Sequence, residues 1–348
     1  MIHIPFPRSR ANPVAAEERL NEFHRKPAGN CIRNNKVDIH YDLQIIVPAY
    51  NAENTIEECL DSALNQNTEY QYIITVINDG SNDATRTKLD KYQDNSKVEI
   101  IHQENRGFSG ARNRGLEVLK GRYIAFLDSD DKLPSYAIQG MIEIAFRTNA
   151  DMVQGGWYEF GNGRSVYQVP GQGEIATDTA EGFSGYPWGK VYKYTVLEKF
   201  QFPEGYWFED TPISFLLEAL PLRFVLTDKI VYEYRINPNG ITQKAAYSPK
   251  SVDSYWITEQ CLENLSKLGL AYDQRAYEYF IKQVVTNYLR TRKMPQVIKK
   301  SIFVLTANCY EKFFKDKYTV SEIEYKGLEK AIRRKSYIQY ELSMIQFR

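Results

Sequence analysis

Four short apolar runs, each followed by a polar loop and then a helical pattern, constrain this chain more than any other feature. They are residues 43–47, 72–77, 98–102 and 123–127. Their nearly continuous apolar character suits strands covered on both faces. After the first run, Ile56, Cys59, Leu60, Ala63 and Leu64 lay an apolar stripe along a helix that starts past Thr55, with Glu57 and Glu58 in its first turn. Asp83 can cap a short helix to about residue 92. A helix is expected over 109–120 with Gly121 as its stop, and Ile138, Met141, Ile142, Ala145 and Phe146 mark another. Residues 152–154 suit a fifth strand. Strands alternating with helices predict an α/β fold, a mostly parallel sheet with helices on both faces. Right-handed crossovers then bring the loops at 48–54, 78–83, 103–109 and 128–132 to one rim.

The last of those loops holds Asp128, Asp130 and Asp131. Three carboxylates within four positions would be costly to bury unpartnered, because like charges and desolvation both disfavour ionisation. Facing a crevice at a strand end, where open α/β sheets bind ligands, they would instead suit Mg²⁺ or Mn²⁺, with substrate phosphates completing the shell. Standing alone, such a stretch reads equally well as a solvated Asp-rich turn. Three other polar loops on the same rim make it a site.

Lys plus Arg and Asp plus Glu are equal at 44 each, so bulk charge argues for no nucleic-acid partner. The charge is uneven: from residue 276 onward there are fifteen basic and seven acidic residues, a net of +8, against −8 for the remainder. Cys31, Cys59, Cys261 and Cys309 form no C-x-x-C pair, and with only four histidines a zinc site is not expected. The reading is a reduced, cytoplasmic protein, including the inner face of the membrane. Pro5, Pro7 and Arg8 interrupt any apolar leader, and no run of about 18 apolar residues occurs.

Residues 1–41 read as a polar N-terminal extension with one short helix over 14–23. Residues 42–247 read as the α/β domain, with a glycine-rich, irregular stretch at 155–185, a strand at 227–234 and a turn at 235–240. Residues 248–348 read as a helical C-terminal domain for oligomerisation, acceptor contact or a membrane surface. Its stripe of Tyr277, Phe280, Ile281, Val284, Val285 and Tyr288 has helical spacing.

No G-x-G-x-x-G follows the first strand, which disfavours a NAD-type site, and no G-x-x-x-x-G-K-[ST] occurs, which excludes a P-loop. What stands at the four strand ends is Ile-Ile-Val-Pro-Ala-Tyr-Asn (45–51), Asn-Asp-Gly-Ser (78–81), Asn-Arg-Gly (105–107) with Gly-Ala-Arg-Asn (110–113), and Leu-Asp-Ser-Asp-Asp (127–131). In that order they resemble the inverting family 2 glycosyltransferases of the GT-A fold, bacterial type. The resemblance spans residues 43–155 and extends to Trp-Gly-Lys (188–190) and Phe-Glu-Asp-Thr (208–211), which look like the family's acceptor-side motifs.

The resemblance implies roles. Pro48 and Tyr50 would line the nucleobase pocket, and Asp79 would hydrogen-bond the uracil. Asn105 and Arg112 would lie near the nucleotide. Asp128 would serve ribose and metal, and Asp130 would be the main ligand of Mn²⁺ or Mg²⁺. Asp210 would be the general base with Glu209 beside it, and Trp188 and Lys190 would face the acceptor or donor sugar. The implied partners are a UDP-sugar and a glycan, glycolipid or glycoprotein acceptor, with a second copy or a membrane surface at the basic C-terminal region. The late histidine that many relatives use to complete the metal shell is absent, since none follows His102. The Gln-x-x-Arg-Trp motif of processive synthases is absent too, so one sugar per cycle is expected. The competing readings are a non-catalytic partner subunit and a nucleotidyltransferase, though the basic glycine-rich first loop of the latter is missing.

Overall fold

The computed structural model describes residues 12–161, 166–168, 172–236 and 248–347; the turn expected at 237–240 falls outside them. The chain divides into two compact units: Gly29–Gly205 with Glu209–Pro238, and Met1–Ala28 with Tyr206–Phe208 and Asn239–Arg348.

The first element, helix α1 (Pro13–Phe23), belongs to the second, helical unit. Asn12 caps it by accepting from the Val14 N–H at 3.0 Å, and Pro13 occupies the first turn, where no N–H is needed. Its buried residues, Ala16 and Leu20, are four apart on one face, and it packs against the helix Gln296–Cys309.

The sheet unit opens with β1 (Lys36–Ala49), whose last seven residues are all buried. The helix α2 (Ile56–Leu64) follows and buries Ile56, Cys59, Leu60 and Ala63, as the stripe predicts. Then come β2 (Tyr72–Asp79), the short helix α3 (Thr85–Leu89), β3 (Val98–Gln103), α4 (Gly107–Leu116) and β4 (Val118–Phe126). Residues 118–120, expected at a helix end, are strand because Val118 and Leu119 pair with Lys36 and Val37. The same pairing draws residues 36–41 into the sheet unit. The first half of β1 buries no face, so its sequence carries no period to reveal it.

Next are α5 (Ala137–Thr148), β5 (Met152–Phe160), β6 (Val166–Gln168), β7 (Glu174–Thr177), β8 (Lys190–Lys193), α6 (Tyr194–Leu197), α7 (Thr211–Phe215) and β9 (Phe224–Arg235). The strand order is β3-β2-β1-β4-β8-β5-β9-β7, with β6 on β5. Strands β1–β4 pair in parallel, β8 lies antiparallel between β4 and β5, and β5 pairs parallel with β9. The sheet is therefore mostly parallel, interrupted by short reversed strands. Strands of three or four residues are too short for a period, which is why β6–β8 escape a sequence reading. Parallel pairing of β1–β4 sends their C-terminal ends to one rim.

In the helical unit, Asp253–Leu265, Gln274–Thr291, Gln296–Cys309, Lys326–Arg333 and Tyr337–Ser343 are helices. The expected stripe on Gln274–Thr291 is buried, and Asp273 caps that helix through the Ala276 N–H at 2.8 Å. Among the described residues no helix is long and apolar enough to cross a membrane.

Candidate active site

The four strand-end loops brace one another through hydrogen bonds. The Asn51 N–H donates to Ser81 Oγ at 3.0 Å, and Asn51 Oδ1 accepts from the Asn82 N–H at 3.0 Å. The Glu53 N–H donates to Asp83 at 3.1 Å while the Glu53 carboxylate accepts from the Ala84 N–H at 2.9 Å. Pro48 is buried at the end of β1, and Tyr50 stands exposed just past it. Asp79 is buried at the end of β2, where one of its oxygens accepts from Gln103 Nε2 at 2.6 Å and the Arg106 N–H at 2.9 Å. Gly80 makes that contact between loops possible. Its φ is +70°, and a Cβ there would lie 2.7 Å from the Asn105 backbone nitrogen. Asn105 itself accepts from the Gly107 N–H at 3.2 Å at the entry to α4.

Arg112 joins the two acidic groups. It is 4% exposed on α4, donating to Asp128 at 2.9 Å and to Glu209 at 2.8 Å. Burial opposes its charge, but the two carboxylates outweigh it and hold the guanidinium more firmly protonated than usual. Arg112 thus bridges the Asp128 loop to the Glu209–Asp210 turn. The next residue, Asn113, exchanges two 2.8 Å bonds with the Phe202 backbone, and three residues before Arg112, Ser109 Oγ donates to the Pro203 carbonyl at 2.8 Å. Helix α4 therefore carries the segment leading to Glu209. Asp210 is the residue before α7 but makes no side-chain cap to it.

The three aspartates diverge. Asp131 is buried: Tyr232 Oη donates to it at 2.7 Å and the Arg235 N–H at 2.7 Å. Burial first, then Asp128 and Asp130, pushes its pKa up to about 8. It is a lock between the loop and β9. Asp130 is half-buried and its pKa is raised, by burial and then by Asp128. Arg235 reaches across, its Nε donating to the Asp130 carbonyl at 2.7 Å and its Nη2 to Glu58 at 2.5 Å, with Phe160 beneath it at 4.5 Å. Tyr232 and Arg235, read from sequence only as strand and turn, both lie on β9 more than a hundred positions from the aspartates they hold, and no local signal marks that role.

Among the described residues no group of three His, Cys, Asp or Glu side chains is placed to hold a metal. The carboxylates that could serve such an ion are Asp128 and Asp130. Two half-buried carboxylates, of which Asp130 has its proton affinity raised by burial and then by the Asp128 charge, fit a divalent cation that takes its remaining ligands from phosphate and water.

Trp188 and Lys190 depart from surface contacts. Trp188 is 5% exposed, stacked on Tyr232 at 4.5 Å. Lys190 is 1% exposed, and its ammonium donates to the Ser184 and Tyr186 carbonyls at 2.5 and 2.6 Å. A buried cation satisfied by backbone oxygens anchors the loop ahead of it.

A mostly parallel sheet with an acidic strand-end loop and one short reversed strand beside it has GT-A-like architecture. Residues 44–202 match the model of glycosyl transferase family 2, and the chain carries a domain of that family. It is 34% identical over 220 residues to the glycosyltransferase EpsJ of Bacillus subtilis, covering 58% of this chain and 63% of that protein. Against the glycosyltransferase GlyA of Streptococcus pneumoniae it is 30% identical, covering 58% of this chain and 31% of that one. The matches therefore span less than two thirds of either relative. The fold is like that of S. aureus TarS 1–349 solved in complex with UDP-GlcNAc, at a TM-score of 0.71 and 20% identity, over 88% of this chain and 91% of that one.

Proposed function

We propose that the protein transfers a single sugar from a UDP-sugar to a hydroxyl of a glycan, lipid-linked or protein-linked acceptor, with inversion at the anomeric carbon. The observation that carries this reading is the Arg112 bridge, which ties the Asp128–Asp130 pair to the Glu209–Asp210 turn. A transferase needs those two groups, one beside the leaving diphosphate and one beside the attacking hydroxyl. The UDP-GlcNAc bound to TarS supports the donor class.

Asp79, at the end of β2, retains an oxygen to accept from the uracil N–H, with Pro48 and Tyr50 flanking the base. Asp130 and Asp128 would hold Mn²⁺ or Mg²⁺, which when bound neutralises charge on the departing diphosphate. Asp210 accepts the proton of the acceptor hydroxyl as its oxygen attacks the anomeric carbon. The new C–O bond forms on the face opposite the breaking bond to diphosphate, and the configuration inverts. Glu209, beside Asp210, is engaged by Arg112 and positions the turn. A second carboxylic acid for the leaving group, as glycosidases employ, is unnecessary when diphosphate departs.

The test is UDP release from a panel of UDP-sugars with Mn²⁺, with and without EDTA. Turnover that EDTA abolishes, and that Asp130→Ala and Asp210→Asn each abolish, is expected. No UDP release by the wild type, or full activity in both variants, overturns the reading.

A further inference from the structure

Next to the acidic loop stands a column of aromatic rings. Tyr186 stacks on Trp188 with centroids 4.6 Å apart and planes 5° from parallel. Trp188 stacks on Tyr232 at 4.5 Å and 12°, and on Tyr234 at 5.3 Å and 19°. Trp157 meets Tyr186 and Trp188 edge-on, at 6.3 and 5.5 Å. The foot of the column is tied to the carboxylates, because Tyr232 Oη donates to Asp131 and accepts from the Asp128 N–H at 3.1 Å. Its head adjoins α7, the helix that Asp210 precedes: a Cβ on Gly185, next to Tyr186, would sit 2.9 Å from Oγ of Ser214 on that helix. The Lys190 ammonium pins the Tyr186 carbonyl. Down this column exposure falls from 45% at Tyr186 to 5% at Trp188 and 1% at Tyr232.

We propose that the ring of Tyr186 is the platform on which the acceptor hexopyranose stacks, presenting its hydroxyl toward Asp210. The proposal rests on the glycosyltransferase reading and adds to it the acceptor subsite. A pyranose has an apolar C–H face, and an aromatic ring offers matching area at little entropic cost when its orientation is already set. Here two parallel rings below and a buried lysine set it. The column also stands on the appropriate half of the sheet. Trp157 is on β5, Tyr232 and Tyr234 on β9, and Tyr186 and Trp188 lead into β8, all across β4 from the strand ends that bear Pro48, Tyr50 and Asp79.

The experiment uses the full chain with p-nitrophenyl β-glucoside, β-galactoside and N-acetyl-β-glucosaminide as acceptor probes. Acceptor KM is read from UDP release, pyranoside contact from saturation-transfer NMR, and UDP affinity from calorimetry. Tyr186→Ala is expected to raise acceptor KM about tenfold or more, and to abolish saturation transfer to the pyranoside C–H protons, with UDP affinity and thermal midpoint retained. Tyr186→Phe, which keeps the ring, is expected to stay within about threefold. An acceptor KM within about twofold of wild type in Tyr186→Ala overturns the platform, as does a parallel loss of UDP affinity. So does a wild type that binds UDP yet shows no saturation transfer to any probe. A wild type with Tyr186-dependent saturation transfer but no UDP-sugar turnover overturns the transferase reading and leaves the platform standing.

Discussion

In the β1–β4 half of the sheet, functional side chains are held by residues a few positions away or on the next loop. Asn51, Glu53, Asp79 and Asp83 trade bonds among neighbouring strand ends. In the β8–β5–β9 half, the holding is done by buried partners far off in sequence: Lys190 under the 184–186 loop, Tyr232 and Arg235 around Asp130 and Asp131, and Arg112 reaching to Glu209. The first half is a rim in which polar loops satisfy one another. The second is a scaffold of buried charges and rings, where each residue stands on something beneath it. A change in the first should act locally on donor binding. A change in the second should propagate into stability and acceptor handling.

The largest effects are expected where the chemistry itself is removed. Asp210→Asn should lower kcat by about 10²–10⁴ while UDP affinity by calorimetry holds, and Asp130→Ala or EDTA should match that loss while also weakening UDP binding. Equal losses with unchanged UDP binding in both variants would erase the division of labour between the halves. Arg112→Met comes next. It strands Asp128 and Glu209 beside an apolar side chain, and loss of one partner of a buried charge group costs about 3–5 kcal/mol. Urea unfolding measures it; a change below about 1 kcal/mol would mean the bridge behaves as a surface pair.

Lys190→Met should cost about 2 kcal/mol, because the Ser184 and Tyr186 carbonyls lose their donor, and should raise acceptor KM with UDP affinity retained. Loss of UDP affinity instead would join the two halves functionally. Gly80→Ala should cost about 1–2 kcal/mol, since Cβ meets the Asn105 nitrogen at a left-handed φ, and here UDP affinity rather than acceptor KM should fall. The smallest effect belongs outside the sheet unit. Asn12→Ala removes the cap of α1 and should cost about 1 kcal/mol in thermal unfolding with no change in UDP affinity.

Legibility followed the same divide. Strands β1–β4, helices α2 and α5 and the acidic loop could be read because burial on both faces and helical stripes write themselves into composition and period. The Asp128–Asp131 cluster was visible as a cluster, and it was the family resemblance that gave Asp128 and Asp130 roles and left Asp131 without one. Burial under Tyr232 and Arg235 makes Asp131 a lock between that loop and β9. Lys190 and Trp188 stood in a recognisable motif, yet motif and placement gave different jobs, since a lysine and a tryptophan look alike in sequence whether they face solvent or backbone. The short strands β6–β8 had no period to show.

By itself the sequence determined the α/β class, the rim that the four parallel strands share and the helical C-terminal region. Those follow from local hydrophobic period and from the fixed hand of strand–helix–strand connections, which need no knowledge of distant contacts. Only the tertiary structure decided that Arg112 spans Asp128 and Glu209, that Lys190 is an anchor, and that Tyr186 heads a stacked column above the acidic loop. Those arrangements depend on which side chain desolvates against which, across a hundred residues of chain, and a buried charge or ring acquires its role only from the partner that makes its burial affordable.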